Sequence, residues 1–250
     1  MPEGDTILRA ALKLRPVLEG RVPDALVTHR RFAHDRWAER LAGRAVTAVE
    51  PHGKHLLLHF EDGLAIHSHL RMTGRWRVRA AEPAPPPRTW LAIRAGDREV
   101  LQINGPVLEL LTELRARARI AGLGPDILAE TFDASAFLRR LRTDDPTRPI
   151  GDALLDQSIV AGIGNVWKAE GCFAAAIDPW RRTADVSDEE ALAIVAATRP
   201  RMLASAHGDR APHAVYGAAG GACPRCGADI RARGQGDANR TTYWCPGCQR

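Results

Sequence analysis

Two sets of residues in this sequence have types and spacings suited to chemistry. The first is a quartet, Cys223, Cys226, Cys245 and Cys248, arranged as two C-x-x-C pairs with eighteen residues between them. Two thiolates from each tight knuckle can complete a closed tetrahedral shell around one structural Zn2+, leaving no open position for water. The intervening segment GADIRARGQGDANRTTYW has turn signals at Gly234, Gly236 and Asn239 and predicts a β-hairpin. Two disulfides among the same four residues are the alternative. The opening MPEGDTILRAALKLR argues against it, because it lacks the charged start, apolar stretch and cleavage site of an export signal. A fifth cysteine, Cys172, lies in the apolar stretch GCFAAAI and reads as a buried thiol rather than a nucleophile.

The second set is Pro2 and Glu3. Removal of Met1 would expose the secondary amine of Pro2, which can attack an aldehyde-like carbon and form an iminium directly. The neighbouring carboxyl of Glu3 could give and take protons. An ordinary processed terminus is the competing reading of the same residues.

The chain has 250 residues and a formal charge of +5, enough length for one large domain or two. Between Gly221 and Arg250, five arginines (Arg225, Arg231, Arg233, Arg240, Arg250) face two aspartates (Asp229, Asp237), which suits a polyanionic partner. Of 35 basic residues only Lys13, Lys54 and Lys168 are lysines, which singles these three out. No apolar run reaches the roughly 18 residues needed to cross a membrane.

Positioning these groups falls to three kinds of element. Ile7, Ala11, Leu14 and Leu18 recur at helical spacing, with Asp5 or Thr6 as the expected cap. Strand-like runs follow between Ala45 and Asn104, interrupted by the proline-rich loop 81–88, and predict a β-sandwich or barrel. From about residue 108 the pattern reads as helical: VLELLTELRARAR, ASAFLRRLR, IGDALLDQSIVAG, then the turn GIGN and VWKAEGCFAAA. Ser187 and Glu190 predict a capping box on a last helix that Pro200 should kink or break. GIGN places backbone N–H groups at a helix start, which suits a phosphate oxygen and equally suits a plain interhelical turn.

These segments, taken in order, resemble the formamidopyrimidine-DNA glycosylase/endonuclease VIII family of base-excision repair enzymes. The matching stretches are PEG at 2–4, GKHLLL at 53–58, SHLRMTGRW at 68–76, LGPDIL at 123–128, LLDQSIVAGIGNVWKAE at 154–170 and NRTTYWCPGCQ at 239–249. PEG and YWCPGCQ are similar to the endonuclease VIII branch. The resemblance implies a multidomain α+β fold: an N-terminal β-sandwich with a leading helix, then a helical domain with a helix–two-turn–helix motif and a zinc-finger β-hairpin. The expected boundaries are 1–115 for the catalytic sandwich, 116–130 for a linker, 131–220 for the helical domain and 221–250 for the finger.

It further implies that Pro2 attacks C1′ of the damaged nucleotide, that Glu3 is the acid and base, and that Lys54 contacts the adjacent phosphate. Asn165 and Arg240 would grip the same stretch of backbone, and His69 would lie near it. Arg71 and Met72 occupy the loop that fills the gap left by the extruded base, with Met72 as the wedge. The partner would be damaged double-stranded DNA, the metal one structural zinc ion, the state a monomer and the compartment the cytoplasm. Two departures bear on substrate. PEGDT carries Thr6 where the family has a carboxylate, and QINGPVLELL lacks the Arg/Phe wedge of the formamidopyrimidine branch, which points to oxidised pyrimidines. Ala218 replaces a frequent arginine. An abasic-site lyase with weak glycosylase activity and a non-catalytic damaged-DNA-binding protein are the alternatives.

Overall fold

The computed structural model describes residues 2–209 and 211–250, so Met1, whose removal the Pro2 chemistry requires, lies outside the described residues. The chain divides into two compact units, one ending at Gly122 and the other beginning at Leu123.

The first unit opens with helix α1 (Gly4–Leu18). Ile7, Ala11, Leu14 and Leu18 are each no more than 1% exposed, and burying side chains of this size contributes about 1.5–3 kcal/mol for each of the larger three. Neither Asp5 nor Thr6 caps the helix. The cap is Glu3, whose carbonyl accepts the N–H groups of Thr6 at 2.9 Å and Ile7 at 3.2 Å, so the helix begins two residues after Pro2. Strand β1 (Ala25–Thr28), a 3-10 turn and the short helix α2 (Trp37–Leu41) follow in a stretch where the sequence pattern announces no element. Trp37 and Phe32 anchor it, with ring centroids 4.9 Å apart.

Seven further strands are β2 (Val46–His52), β3 (His55–Phe60), β4 (Leu64–His69), β5 (Arg75–Ala80), β6 (Thr89–Ala95), β7 (Arg98–Ile103) and β8 (Val107–Thr112). They form two antiparallel sheets of order β1-β6-β7-β5 and β2-β3-β4-β8. Leu56, Leu58 and Ile66 of one sheet share a core with Leu91, Ile93 and Val100 of the other and with α1, which makes a β-sandwich. Residues 107–112 differ from the helical expectation. Leu108 and Leu110 alternate onto the main core, and the whole segment pairs with β4 from Leu64↔Thr112 to His69↔Val107. Ladder pairing and a two-sided core outweigh the helical spacing of the leucines. Helix α3 (Glu113–Ile120) starts only afterwards and covers the outer face of that sheet through Ala116, Leu57 and Ala65.

The second unit holds α4 (Ala134–Thr143), α5 (Ile150–Ala153), α6 (Asn165–Ala174), α7 (Asp188–His207), and a hairpin of β9 (Arg231–Gln235) and β10 (Arg240–Trp244). The expected third helix shrinks to the single turn α5. Asp156 Oδ1 accepts from Ser158 N and Oγ, and the Gln157 side chain bonds Leu155 O, Ile163 O and Gly162 N. Such local bonds compete with helix. They build the paired turns that lead into α6. Gly124 is required here, since a Cβ would lie 2.3 Å from Ile159 O. The Ser187–Glu190 capping box forms, and α7 runs unbroken through Pro200. One missing N–H costs less than the burial of Ala191, Ile194 and Val195 before it and Met202 and Ala206 after it. No helix among the described residues is long and apolar enough to cross a membrane.

Candidate active site and metal centre

In the first unit, Pro2 is partly exposed while Glu3 is 1% exposed, so a buried carboxyl follows directly on Pro2 at the start of α1. Asp5 is also buried and lies 3.8 Å from Arg9. Thr6 Oγ1 donates to Asp5 Oδ1 at 3.4 Å, so the hydroxyl at the departure position is bound to the neighbouring carboxylate.

Lys54 sits at the tip of a two-residue hairpin turn between β2 and β3, closed by the pair His52↔His55. Gly53 takes φ +54 there, a left-handed conformation that glycine adopts without strain. On the next strand His69 pairs with His55. Its Nδ1 accepts the Arg71 N–H at 3.1 Å, which leaves the proton of the neutral ring on Nε2. Burial, then the positive charges of Arg71 and Lys54, push His69 down to about 4. Leu70 O accepts Gly74 N–H at 2.9 Å across a tight turn, and a Cβ on Gly74 would come within 2.7 Å of that oxygen. The turn holds Arg71 at φ +48 and leaves Met72 61% exposed, a surface side chain and not a core methionine.

Behind these residues runs a chain that the sequence reading passed over. Arg119 donates twice to Glu109, at 2.6 and 3.1 Å; Glu109 Oε2 lies 2.9 Å from His67 Nδ1; His67 Nε2 lies 2.8 Å from His55 Nδ1. Burial pushes His55 down to about 3 and lowers His67 as well. The signal available beforehand was period-2 spacing: His67 and His69 share one face of β4, and the hairpin pairing brings His55 beside them.

In the second unit, Asn165 is the first residue of α6, and its Nδ2 donates to Thr241 O at 2.8 Å, next to the exposed Arg240. The structure thus joins the helix start to the hairpin beside Arg240. Lys168, fully buried, donates to Thr242 Oγ1 at 2.5 Å and to Gln235 Oε1 at 3.3 Å, and Gln235 Nε2 donates to Pro179 O at 2.8 Å. Lysine rarity had marked Lys168, but not this docking role. Glu170, 2% exposed, accepts the N–H groups of Ala214, Val215 and Tyr216, each at 2.9 Å.

The four cysteines converge, with all Sγ atoms within 4.8 Å of one another, and can hold a metal ion. Burial opposes ionisation of Cys223, but backbone N–H groups of Arg225 and Cys226, together with hydrogen bonds from the Cys245 and Cys248 thiols, outweigh it and bring the thiol down to about 6. Cys172 is fully buried, and burial pushes it up to about 12, so it is no nucleophile.

Comparison with known proteins agrees with this architecture. The formamidopyrimidine-DNA glycosylase N-terminal domain matches residues 1–106, and the H2TH domain of the same enzyme matches residues 123–209. A probable endonuclease 8 of Streptomyces coelicolor is 39% identical, over all of this chain and 94% of its own length. A DNA-(apurinic or apyrimidinic site) lyase of Mycolicibacterium smegmatis is 35% identical, over all of this chain and 99% of its own. The fold is similar to that of the Lactococcus lactis formamidopyrimidine-DNA glycosylase bound to DNA containing an abasic site, with a TM-score of 0.85 at 23% identity and full coverage of both chains. The chain belongs to the formamidopyrimidine-DNA glycosylase/endonuclease VIII family, on its endonuclease VIII branch.

Proposed function

We propose that the protein removes oxidised bases, pyrimidines foremost, from duplex DNA, with Pro2 as the nucleophile. As a member of this family it is a DNA glycosylase and abasic-site lyase of base-excision repair. The observation that carries the assignment of Pro2 is its place at the head of α1, followed at once by the buried Glu3. In this reading the Pro2 nitrogen bonds to C1′ of an extruded nucleotide and the base departs with a proton; the C1′–O4′ bond then opens, O4′ takes a proton, and an iminium with an open sugar remains. Loss of a sugar proton then expels the 3′ phosphate, and a second elimination expels the 5′ phosphate, leaving a one-nucleotide gap. Glu3 shuttles the protons, and Lys54 and His69 hold the phosphate beside the lesion. Arg71 and Met72 fill the gap in the stack, the exposed Met72 acting as wedge. Asn165 and Arg240 grip the backbone from the finger unit.

The metal is zinc in this reading. A tetrahedral Zn2+ with bonds of about 2.3 Å needs sulfur–sulfur edges of about 3.8 Å. The Cys223–Cys248 and Cys226–Cys245 separations of 3.7 and 3.5 Å fit that shell. With four thiolates the ion would have structural work only, shaping the hairpin that presents Arg240. The protein would act as a monomer in the cytoplasm, on chromosomal DNA. Thr6, tied to Asp5, keeps a second reading open: lyase activity that exceeds base removal.

Borohydride reduction tests the nucleophile. The wild type should become covalently trapped on abasic-site DNA, and Pro2→Gly, which keeps only a primary amine, should trap less. A wild type that fails to trap, or a Pro2→Gly variant as efficient, removes Pro2 from the mechanism. A panel of thymine glycol, dihydrouracil, 8-oxoguanine and plain abasic duplexes separates the two readings of substrate.

A further inference from the structure

We propose that Glu109, His67 and His55 form a directional hydrogen-bonded relay that positions the Lys54 hairpin tip and the neighbouring His69 for DNA contact. The inference rests on the reading of Lys54 and His69 as phosphate contacts.

Glu109 is held below the usual carboxylate range: burial opposes this, but the bonds from His67 and Arg119 prevail. A carboxylate can only accept, so His67 must carry its proton on Nδ1. Its Nε2 is then a lone pair, and the 2.8 Å contact requires His55 to donate from Nδ1. Every tautomer in the chain therefore follows from one carboxylate on β8, itself fixed by the two donations from Arg119 on α3. The far end of the chain is mechanically important. His55 is the residue after Lys54, and it closes the two-residue turn that carries Lys54. Its ring stacks on His67 with centroids 5.1 Å apart and meets His69 edge to face at 4.8 Å. The turn has only Gly53 and Lys54 in it, so an anchored His55 limits how far Lys54 can swing.

The charged and titratable groups around the relay come from every neighbouring element. They are His52 on β2, Lys54 in the turn, His69 and Arg71 at the end of β4, Glu109 on β8 and Arg119 on α3. A second network on the same sheet face, Glu50–His59–Glu113, has its own two carboxylates at 2.9 and 2.8 Å and does not join the first through any hydrogen bond among the described residues.

Glu109→Gln is the discriminating variant, because it keeps shape while replacing one acceptor with a donor. Arg119 should keep the amide oxygen and turn the NH2 toward His67. His67 would then carry its proton on Nε2 and His55 would receive it on Nδ1, inverting both tautomers. Side-chain 15N spectra should show Nδ1–H on both rings in the wild type and Nε2–H on both in the variant. Because the inverted chain still anchors His55, Glu109→Gln should bind a duplex with a tetrahydrofuran abasic analogue, and trap under borohydride, close to wild type, whereas His67→Phe, which leaves His55 without that partner, should lose roughly tenfold or more in both, as expected for small displacements of groups that grip substrate. Glu113→Gln, which alters the His59 network and the Arg117 pair but no bond of the relay, should bind like wild type. Unchanged tautomers in Glu109→Gln overturn the relay, whether or not the chain acts on DNA. Unchanged affinity and trapping in His67→Phe overturn its positioning role. A wild type that neither binds nor traps overturns instead the phosphate-contact reading of Lys54 and His69, while the spectra still read the relay.

Discussion

Glu170→Gln should loosen the strap that leads into the cysteine knuckle while leaving the first unit untouched. The carboxylate is buried and accepts three backbone N–H groups, two on Oε1 and one on Oε2, with Arg201 a further 3.8 Å from Oε2. A glutamine can present its oxygen to Val215 and Tyr216, but its NH2 then faces the N–H of Ala214 and the Arg201 guanidinium, all donors. One charge-assisted bond, with a net contribution of about 1.5–3 kcal/mol, is lost, and the other two weaken to neutral strength. The sum is about 3 kcal/mol, a fall of about 10 °C in melting temperature at the sensitivity expected for a domain of this size. Val215 shares a core with Cys223 and Cys245, so the damage should spread to the finger. Hydrogen exchange at the amides of residues 214–216 should accelerate, and affinity for abasic duplex should fall with it. A variant that melts within about 2 °C of wild type, with those amides still protected, would show that the three bonds do not hold the strap.

Two other outcomes follow from the site. His55 is depressed to about 3 in the folded chain against an ordinary 6.5, so its contribution to stability is present above about pH 6.5 and is lost progressively as pH falls from there to about 3. Lowering pH from 7 to 5.5 should cost about 1 kcal/mol through this residue, discounted for its partial exposure. His59, raised by Glu50 against the opposing effect of burial, works in the other direction, its contribution being lost as pH rises through the raised value. A His55→Leu variant should melt with a flatter acid limb, and an unchanged limb would acquit His55. Stripping the metal with a strong chelator, followed by thermal melting and duplex binding, should unfold the finger and abolish binding. Reductive trapping of a small soluble aldehyde on Pro2 should continue at the wild-type rate, and its loss would mean that the metal does more than fold the hairpin.

Elements whose side chains answer to one local pattern were legible in the sequence. The four core positions of α1, the Ser187–Glu190 box and the cysteine knuckles each need only near neighbours to be recognised. What was missed depends on partners far along the chain. Residues 107–112 carry leucines that satisfy a helix as well as a strand, and only the ladder to β4 decides between them. Residues 154–162 read as helix until the Asp156 and Gln157 side chains take the backbone groups a helix would use. The candidate site follows the same division. Pro2 and Glu3 stand out because they are adjacent, whereas the His67–Glu109 bond spans 42 residues and the Lys168–Thr242 bond spans 74. Nothing in local spacing could announce either.

The two units hold their functional groups by different physics, and this decides how each should fail. Pro2 inherits its position from α1, and α1 is held by apolar side chains in a shared core. Such cores tolerate volume-conserving exchanges such as Leu14→Met at a cost below about 1.5 kcal/mol. Arg240 inherits its position from a hairpin docked by a buried lysine, a buried amide and a carboxylate strap, and shaped by four thiols. There, changing one atom from acceptor to donor leaves buried groups unmatched, with no slack to absorb the error. Conservative substitutions should therefore spare the placement of Pro2, the proposed nucleophile, far more often than the finger's, and damaged variants should lose DNA affinity while the Pro2 amine keeps its reactivity.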